Sequence, residues 1–379
     1  MINTIEMAIS KEESNLISYI RFPLAAMVVL WHTPQFYHVP ISFSDNAFVI
    51  LSTLFSLFVG IVVYVSVPAF FLMSGYLFFL NSSDWEGGAF LNSYISKIKK
   101  RIFTLLIPYI LWNSIAMFLN LVKCIASALI NNKSFSEVIS WLMDIFPRGY
   151  WVANHRFMGF ENFLGIRVYE CSPYDSPLWF IRDLMVMTII SPFLFYLIKK
   201  LKVVFVVILS ILYITGIWFQ IPGFEIRAVL FFSIGAYLAY NKKSLMQMCK
   251  NKSIHIFSVL ALVFTIFFYA INSECRFYIC RIFILLGTFS IFEIAANVMK
   301  RISISPVFTK TTFFIYAAHR IFIIYVVDSI IRVLIVNAYV ANVVSILFTP
   351  IVTIAIIVMI YKILNKINPK VVSVLSGGR

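Results

Sequence analysis

The chain has 379 residues, of which 61% are apolar and 12% charged, with a mean hydropathy of +0.93. A soluble domain carries about a quarter of its residues as charges, so this composition excludes an ordinary soluble protein and predicts a polytopic membrane protein. The net charge of +15 does not point to nucleic acid, because the basic residues sit in short clusters between apolar runs, as cytoplasmic loops do.

In chain order, residues 1–15 are polar and mixed in charge, closing on SKEESN. No small-residue cleavage site follows, so they read as a cytoplasmic segment before a retained helix. Hydropathy then predicts an all-α transmembrane domain over 16–365, with about ten spans. These fall at roughly 16–37, 52–80, 102–122, 178–198, 203–219, 225–241, 254–271, 277–298, 312–334 and 341–364. The run 47–80 is too long for one straight span. Either an interfacial helix precedes the span, or the span is tilted and bent at Pro68. Residues 366–379 read as a cytoplasmic tail.

Basic clusters set the orientation. Lys97, Lys99, Lys100 and Arg101, then Lys199, Lys200 and Lys202, then Lys242 and Lys243, then Lys300 and Arg301 recur after every second span. With ten helices all fall on the side of the N-terminus, so both termini are expected in the cytoplasm. The sizeable outer region is 123–177, rich in aromatics, which suits a lid, an acceptor platform or an interfacial loop. The five cysteines form no metal-ligand spacing, and no metal site is expected. Cys124, Cys171, Cys275 and Cys280 fall outside and Cys249 inside. A bridge from Cys171 to Cys275 or Cys280 would tether the outer segment.

Five stretches carry polar groups into apolar surroundings. In RFPLAAMVVLWH, Arg21 and His32 are eleven residues apart, three helical turns plus about 20°, so both face one side, about 16 Å apart along the axis. Ser18 and Gln35 share that side. Snorkelling explains Arg21 alone and an interfacial position explains His32 alone. Together they suit a groove in which an arginine holds an anionic group and a histidine takes a hydroxyl proton. In VPAFFLMSGYLFF, Pro68 frees a carbonyl and Ser74-Gly75 permits close helix approach. In KIKKRIFTLLIPY, Lys99, Lys100 and Arg101 form a basic mouth that attracts a polyphosphate or anionic lipid. SPLWFIRDLM holds Trp179, Arg182 and Asp183 near the outer end. YAAHRIF holds Tyr316, His319 and Arg320, read as the inner part of the ninth helix. Glu293 is a lone intramembrane carboxylate, and so a candidate site or helix-pairing residue.

Taken in order, these stretches resemble the acyltransferase 3 family, integral-membrane acyltransferases that modify bacterial surface polysaccharides. Arg21 and His32 match its Arg, ten residues, His pattern. FFLMSGYLFF resembles its FF-x-x-SGY/F segment, KKRIFTLLIP its basic run before a proline, PLWFIRDL its LWF segment, and IYAAHRIF its Tyr-x-x-His helix. Leu105 stands where the family often has a second arginine.

The resemblance implies a bacterial inner-membrane enzyme with acetyl-CoA or another acyl-CoA as donor from the cytoplasm, and no permanently bound cofactor. The acceptor it implies is a sugar hydroxyl on a lipid-linked or periplasmic glycan. His32 is then the expected general base and Arg21 positions the donor. Lys99, Lys100, Arg101, Tyr316, His319 and Arg320 are expected at the donor. Ser74, Trp179, Arg182, Asp183 and Glu293 are expected at the acceptor or in support. The competing reading is a transporter without covalent chemistry. The scarcity of polar residues along most helices counts against a wide glycan path.

Overall fold

The computed structural model describes residues 10–33, 46–80, 90–131, 135–321 and 323–378. Gln35 and the predicted end of the first helix lie outside them. Helix α1, Lys11–Trp31, starts five residues before its predicted start, because Ser10 caps it by accepting from the Glu13 amide. Its inward face holds Leu16, Ile20, Leu24 and Val28, at helical spacing.

The long apolar run resolves as one helical stretch, Ala47–Phe79, with an internal break. Helix α2, Ala47–Val62, passes through a 3-10 turn at Val63–Val65 into α3, Ser66–Phe79. Pro68 lies in the first turn of α3 and cannot donate to the Tyr64 carbonyl, so the ladder tightens there. A comparable irregularity joins α4, Phe90–Arg101, to α5, Ile107–Ile130, through a π-helical turn at Ile102–Leu106. Pro108 cannot donate to the Thr104 carbonyl one turn back, which interrupts the α-helical ladder there.

The segment 123–177 departs from the all-α expectation. After α6, Phe135–Ile145, it forms an antiparallel ribbon of β1, Asn154–Glu161, and β2, Arg167–Ser172. Asn154 pairs with Ser172 and Phe157 with Tyr169, and a bulge follows Phe157. The predicted fourth span is two helices, α7, Trp179–Ile189, and α8, Ser191–Leu201, bent by 66° at Pro192. Helices α9, Val203–Thr215, and α10, Ile226–Tyr240, are short; α11, Leu245–Cys249, leads to α12, Lys252–Ala270, and α13, Arg276–Val298. The predicted ninth span also breaks, into α14, Pro306–Ala318, and α15, Ile323–Leu334, at 81°. Helix α16 is Ala338–Ile367.

The predicted tail does not hang free. Helix α17, Pro369–Leu375, packs back on α5: Trp112 Nε1 donates to the Leu375 carbonyl at 3.0 Å. All five cysteines are free thiols, so the proposed bridge is absent.

Among the described residues six helical stretches are long and apolar enough to cross a membrane, or eight if each bent pair is one span. At the centre α3 crosses α10 with the backbones in contact. A Cβ on Gly75 would sit 2.0 Å from the Phe232 carbonyl oxygen, and one on Gly235 2.0 Å from that of Leu72. Small residues are what permit such an approach in lipid. Gly287 differs, since a Cβ there meets only side chains, at 3.1 Å. Gly75→Ala and Gly235→Ala should each cost about 1–3 kcal/mol through overpacking. Thermal unfolding in detergent should show a midpoint well below that of Gly287→Ala; equal midpoints for the three would contradict the backbone contact.

Candidate active site

His32 caps the C-terminus of α1, and His319 caps that of α14. The two helix ends meet. His319 Nε2 lies 3.2 Å from His32 Nδ1, with ring centroids 5.0 Å apart. Each ring also donates to its own helix: His32 Nδ1 to the Val28 carbonyl at 2.9 Å, His319 Nδ1 to the Tyr316 carbonyl at 2.7 Å. A carbonyl only accepts, so each neutral ring carries its proton on Nδ1. His32 Nδ1–H is therefore shared between Val28 and the bare Nε2 of His319. His32 Nε2 is left as an unprotonated lone pair. This is the geometry of a base held in one tautomer by a second group.

Around the pair, the chain from Asp175 to Pro177 docks on the end of α14. The Tyr316 hydroxyl donates to the Pro177 carbonyl. Arg320 donates from Nε to the Tyr325 hydroxyl at 2.9 Å and from Nη1 to Ser176 Oγ. Its positive charge reaches both imidazoles. Asp175 is buried, its Oδ2 has no hydrogen-bond partner among the described residues, and burial lifts its carboxyl well above the usual carboxylate range against the pull of Arg320.

Tyr316, His319 and Arg320 thus stand beside His32, not in the inner part of a continuous ninth helix. The reason is the break after Ala318: α14 is only 13 residues long, so its end reaches the depth of His32. Asp175 escaped the sequence reading because an Asp before Ser-Pro reads as an ordinary turn residue.

Three turns back along α1, Arg21 is half-buried. Arg101 comes close enough for the two like charges to repel. Neither has an ion-pair partner among the described residues. Arg101 lies 5.9 Å from the Phe78 ring centroid. Lys97 Nζ donates to the Phe78 carbonyl at 2.7 Å, while Lys99 and Lys100 are exposed. Leu105, at the family's arginine position, is buried, 1% exposed. The second cation beside Arg21 is supplied by Arg101 instead. Ser18 is exposed.

Arg182 and Asp183 form a fully buried pair, Nη2 to Oδ1 at 2.9 Å. Arg182 also donates to the carbonyls of Trp151 at 2.8 Å and Cys171 at 3.0 Å, and the Glu225 amide donates to Asp183 at 3.4 Å. The pair therefore ties the ribbon and the loop before α10 to α7. Trp179 is buried beneath the guanidinium of Arg227, 4.4 Å from its ring centroid. Ser74 is half-buried beside the α3–α10 crossing, and Glu293 accepts from Asn297 at 3.1 Å. Among the described residues no hydrogen bond links either to the histidines.

Glu13 was passed over as part of a polar leader, yet it is buried. Its Oε1 accepts from Tyr76, Ser244 and the Leu245 amide at 3.2, 3.2 and 2.7 Å, anchoring α1 to α3 and α11.

Comparison with curated proteins and with solved structures returns no match. The family description "acyltransferase domain" matches residues 15–362, nearly the whole chain, taking in the histidine pair, the two arginines and the ribbon. The chain belongs to the acyltransferase 3 family of membrane acyltransferases.

Proposed function

We propose that this protein is an O-acyltransferase of the bacterial inner membrane. It moves an acyl group, most simply acetyl, from acyl-CoA to a sugar hydroxyl of a lipid-linked or periplasmic surface polysaccharide. The observation that carries this is the His32–His319 pair, with His32 Nε2 bare and Nδ1–H held by two acceptors.

In the reaction, His32 Nε2 takes the proton of the sugar hydroxyl as its oxygen attacks the thioester carbonyl. The His32 imidazolium is stabilised because Nδ1–H already points at the lone pair of His319. Arg320, whose charge reaches both rings, favours negative charge on the oxygen of the tetrahedral intermediate. Collapse breaks the C–S bond. The proton on His32 passes to the thiolate, giving the sugar ester and free CoA thiol. Tyr316 positions rather than binds, since its hydroxyl is committed to Pro177. Arg21 and Arg101 supply paired guanidiniums for the donor's phosphates, with Lys99 and Lys100 as the approach.

Ten spans follow if the short α9 and α10 are counted with the six long helices and two bent pairs. An even number puts both termini on one side, and the basic clusters favour the cytoplasm. Arg21 then lies nearer the donor's compartment and His32 nearer the acceptor's.

Mass spectrometry of the host's surface glycans with and without the gene tests the activity, and a loss of one acetyl per repeat is expected. Unchanged glycan would contradict it. In purified protein, His32→Ala should lower kcat by roughly 10²–10⁴-fold. His319→Ala should lower it by up to about 10²-fold through loss of orientation. Substantial transfer by His32→Ala at normal accumulation would remove His32 as the base.

Arg21→Lys keeps the charge but loses the planar fork, so KM for acyl-CoA should rise about tenfold or more, equivalent to roughly 1.4 kcal/mol. A KM equal to wild type would leave Arg21 as a topology signal. Orientation is tested at Cys275, which is exposed. A membrane-impermeant thiol reagent should label it in intact spheroplasts; labelling only after permeabilisation would mean the opposite orientation.

A further inference from the structure

Beside the ribbon lies a second chemical centre that the mechanism above does not use. Strand β2, the loop 216–226 and α13 enclose a cavity of about 180 Å³. Clefts for drug-sized ligands run about 300–1,000 Å³, so this one suits a single small ring. One part of its wall is aromatic, with Tyr213, Trp218, Tyr269 and Phe277. The other is charged. Arg227 Nη2 lies 2.8 Å from Glu225 Oε2 and 3.7 Å from Glu170 Oε1, and Trp179 backs its guanidinium. Burial and the neighbouring Glu225 raise the Glu170 carboxyl from its usual range, against the pull of Arg227.

Two features separate this wall from a purely structural ion-pair cluster. Packing alone would close the space in front of the carboxylates, yet the space remains. The charges also cancel: Glu170 and Glu225 face Arg227 and Arg281, and Arg182, the third arginine of the wall, is paired with Asp183 behind it. The wall therefore offers no net attraction to an anion. A carboxylate accepts two hydrogen bonds side by side, which matches adjacent hydroxyls, and an aromatic wall matches the C–H face of a saturated ring.

The histidines do not line the cavity, but one ring contact leads from its wall toward them. Tyr64 is in its wall, and the Tyr64 ring centroid is 4.3 Å from that of Trp31, the residue before His32. Glu170 in turn feels the charge of Arg320, as the histidines do.

We infer that this cavity is the acceptor subsite and takes one uncharged pyranose ring, with Glu170 and Glu225 accepting from its hydroxyls, Arg227 donating to its oxygens, and the aromatic wall against its C–H face. Its role as acceptor subsite rests on the acyl-transfer reading; its preference for a neutral sugar ring does not.

Saturation-transfer NMR on the full chain in nanodiscs tests it. The probes are the methyl glycosides of glucose, galactose, mannose and rhamnose, and glucuronate. At least one neutral glycoside should give a signal that falls at least fivefold in Glu170→Ala and in the size-conserving Glu170→Gln. In acyl transfer to the host glycan, the same variants should raise KM for the glycan at least fivefold and leave KM for acyl-CoA unchanged. No signal from any neutral glycoside, or signal from glucuronate alone, would overturn the subsite. So would wild-type transfer whose glycan KM does not move in either variant, and this result leaves the acyl-transfer reading standing. Neutral-sugar binding lost in the variants, in a protein that transfers no acyl group, would keep the sugar site and overturn acyl transfer.

Discussion

The contact on which the rest of the molecule depends is the backbone approach of α3 to α10 at Gly75 and Gly235. Lipid gives apolar helices no hydrophobic reason to associate, so close packing and hydrogen bonds must do it. From this crossing, α3 reaches the surrounding parts. Tyr76 binds Glu13 at the start of α1. Phe71 packs on Trp179 and Phe180 of α7, with ring centroids 6.1 and 4.6 Å apart. Helix α10 contributes Arg227, which lies over Trp179. One crossing thereby fixes α1, which carries His32, relative to α7 and α10, which frame the cavity.

The chemical groups sit where helices end or break. His32 and His319 are helix caps, and the 3-10 turn at Val63–Val65 presents Tyr64 beside Trp31. Backbone that leaves the helical ladder at membrane depth must be buried in protein or line a cavity. Here it does so beside the histidines. A helix interior would cover an imidazole with its own neighbours. A helix end leaves one ring nitrogen for the preceding carbonyl and the other clear of its own helix, as where His319 Nε2 meets His32.

Buried charge is handled differently at the two centres. Arg182 is satisfied by Asp183 and two backbone carbonyls, which makes it a structural tie between α7, the ribbon and the loop before α10. Removing one partner of such a pair costs far more than the pair contributes. Arg21 and Arg101, by contrast, lie near enough for their like charges to repel. Among the described residues no carboxylate pairs with either guanidinium, so neither is held as Arg182 is.

The sequence by itself determined the membrane class, the family, and the apolar stretches that become helices, because hydropathy and short ordered motifs act locally. Arg21 and His32 were legible for the same reason: eleven residues on one helix fix a face and a separation. Gly75 was legible as a close-approach residue, though its partner Gly235 was not. The ribbon was missed because its few paired residues give a weak alternating signal beside strong helical ones. Only the tertiary structure decided that His319 meets His32, since this depends on where α14 breaks relative to the end of α1, 287 residues apart in sequence. It also decided that Arg101 stands beside Arg21 and that Glu170, Glu225 and Arg227 meet around a cavity. Each is a long-range juxtaposition, set by helix crossings and by the angles at helix breaks, and neither periodicity nor composition encodes those angles.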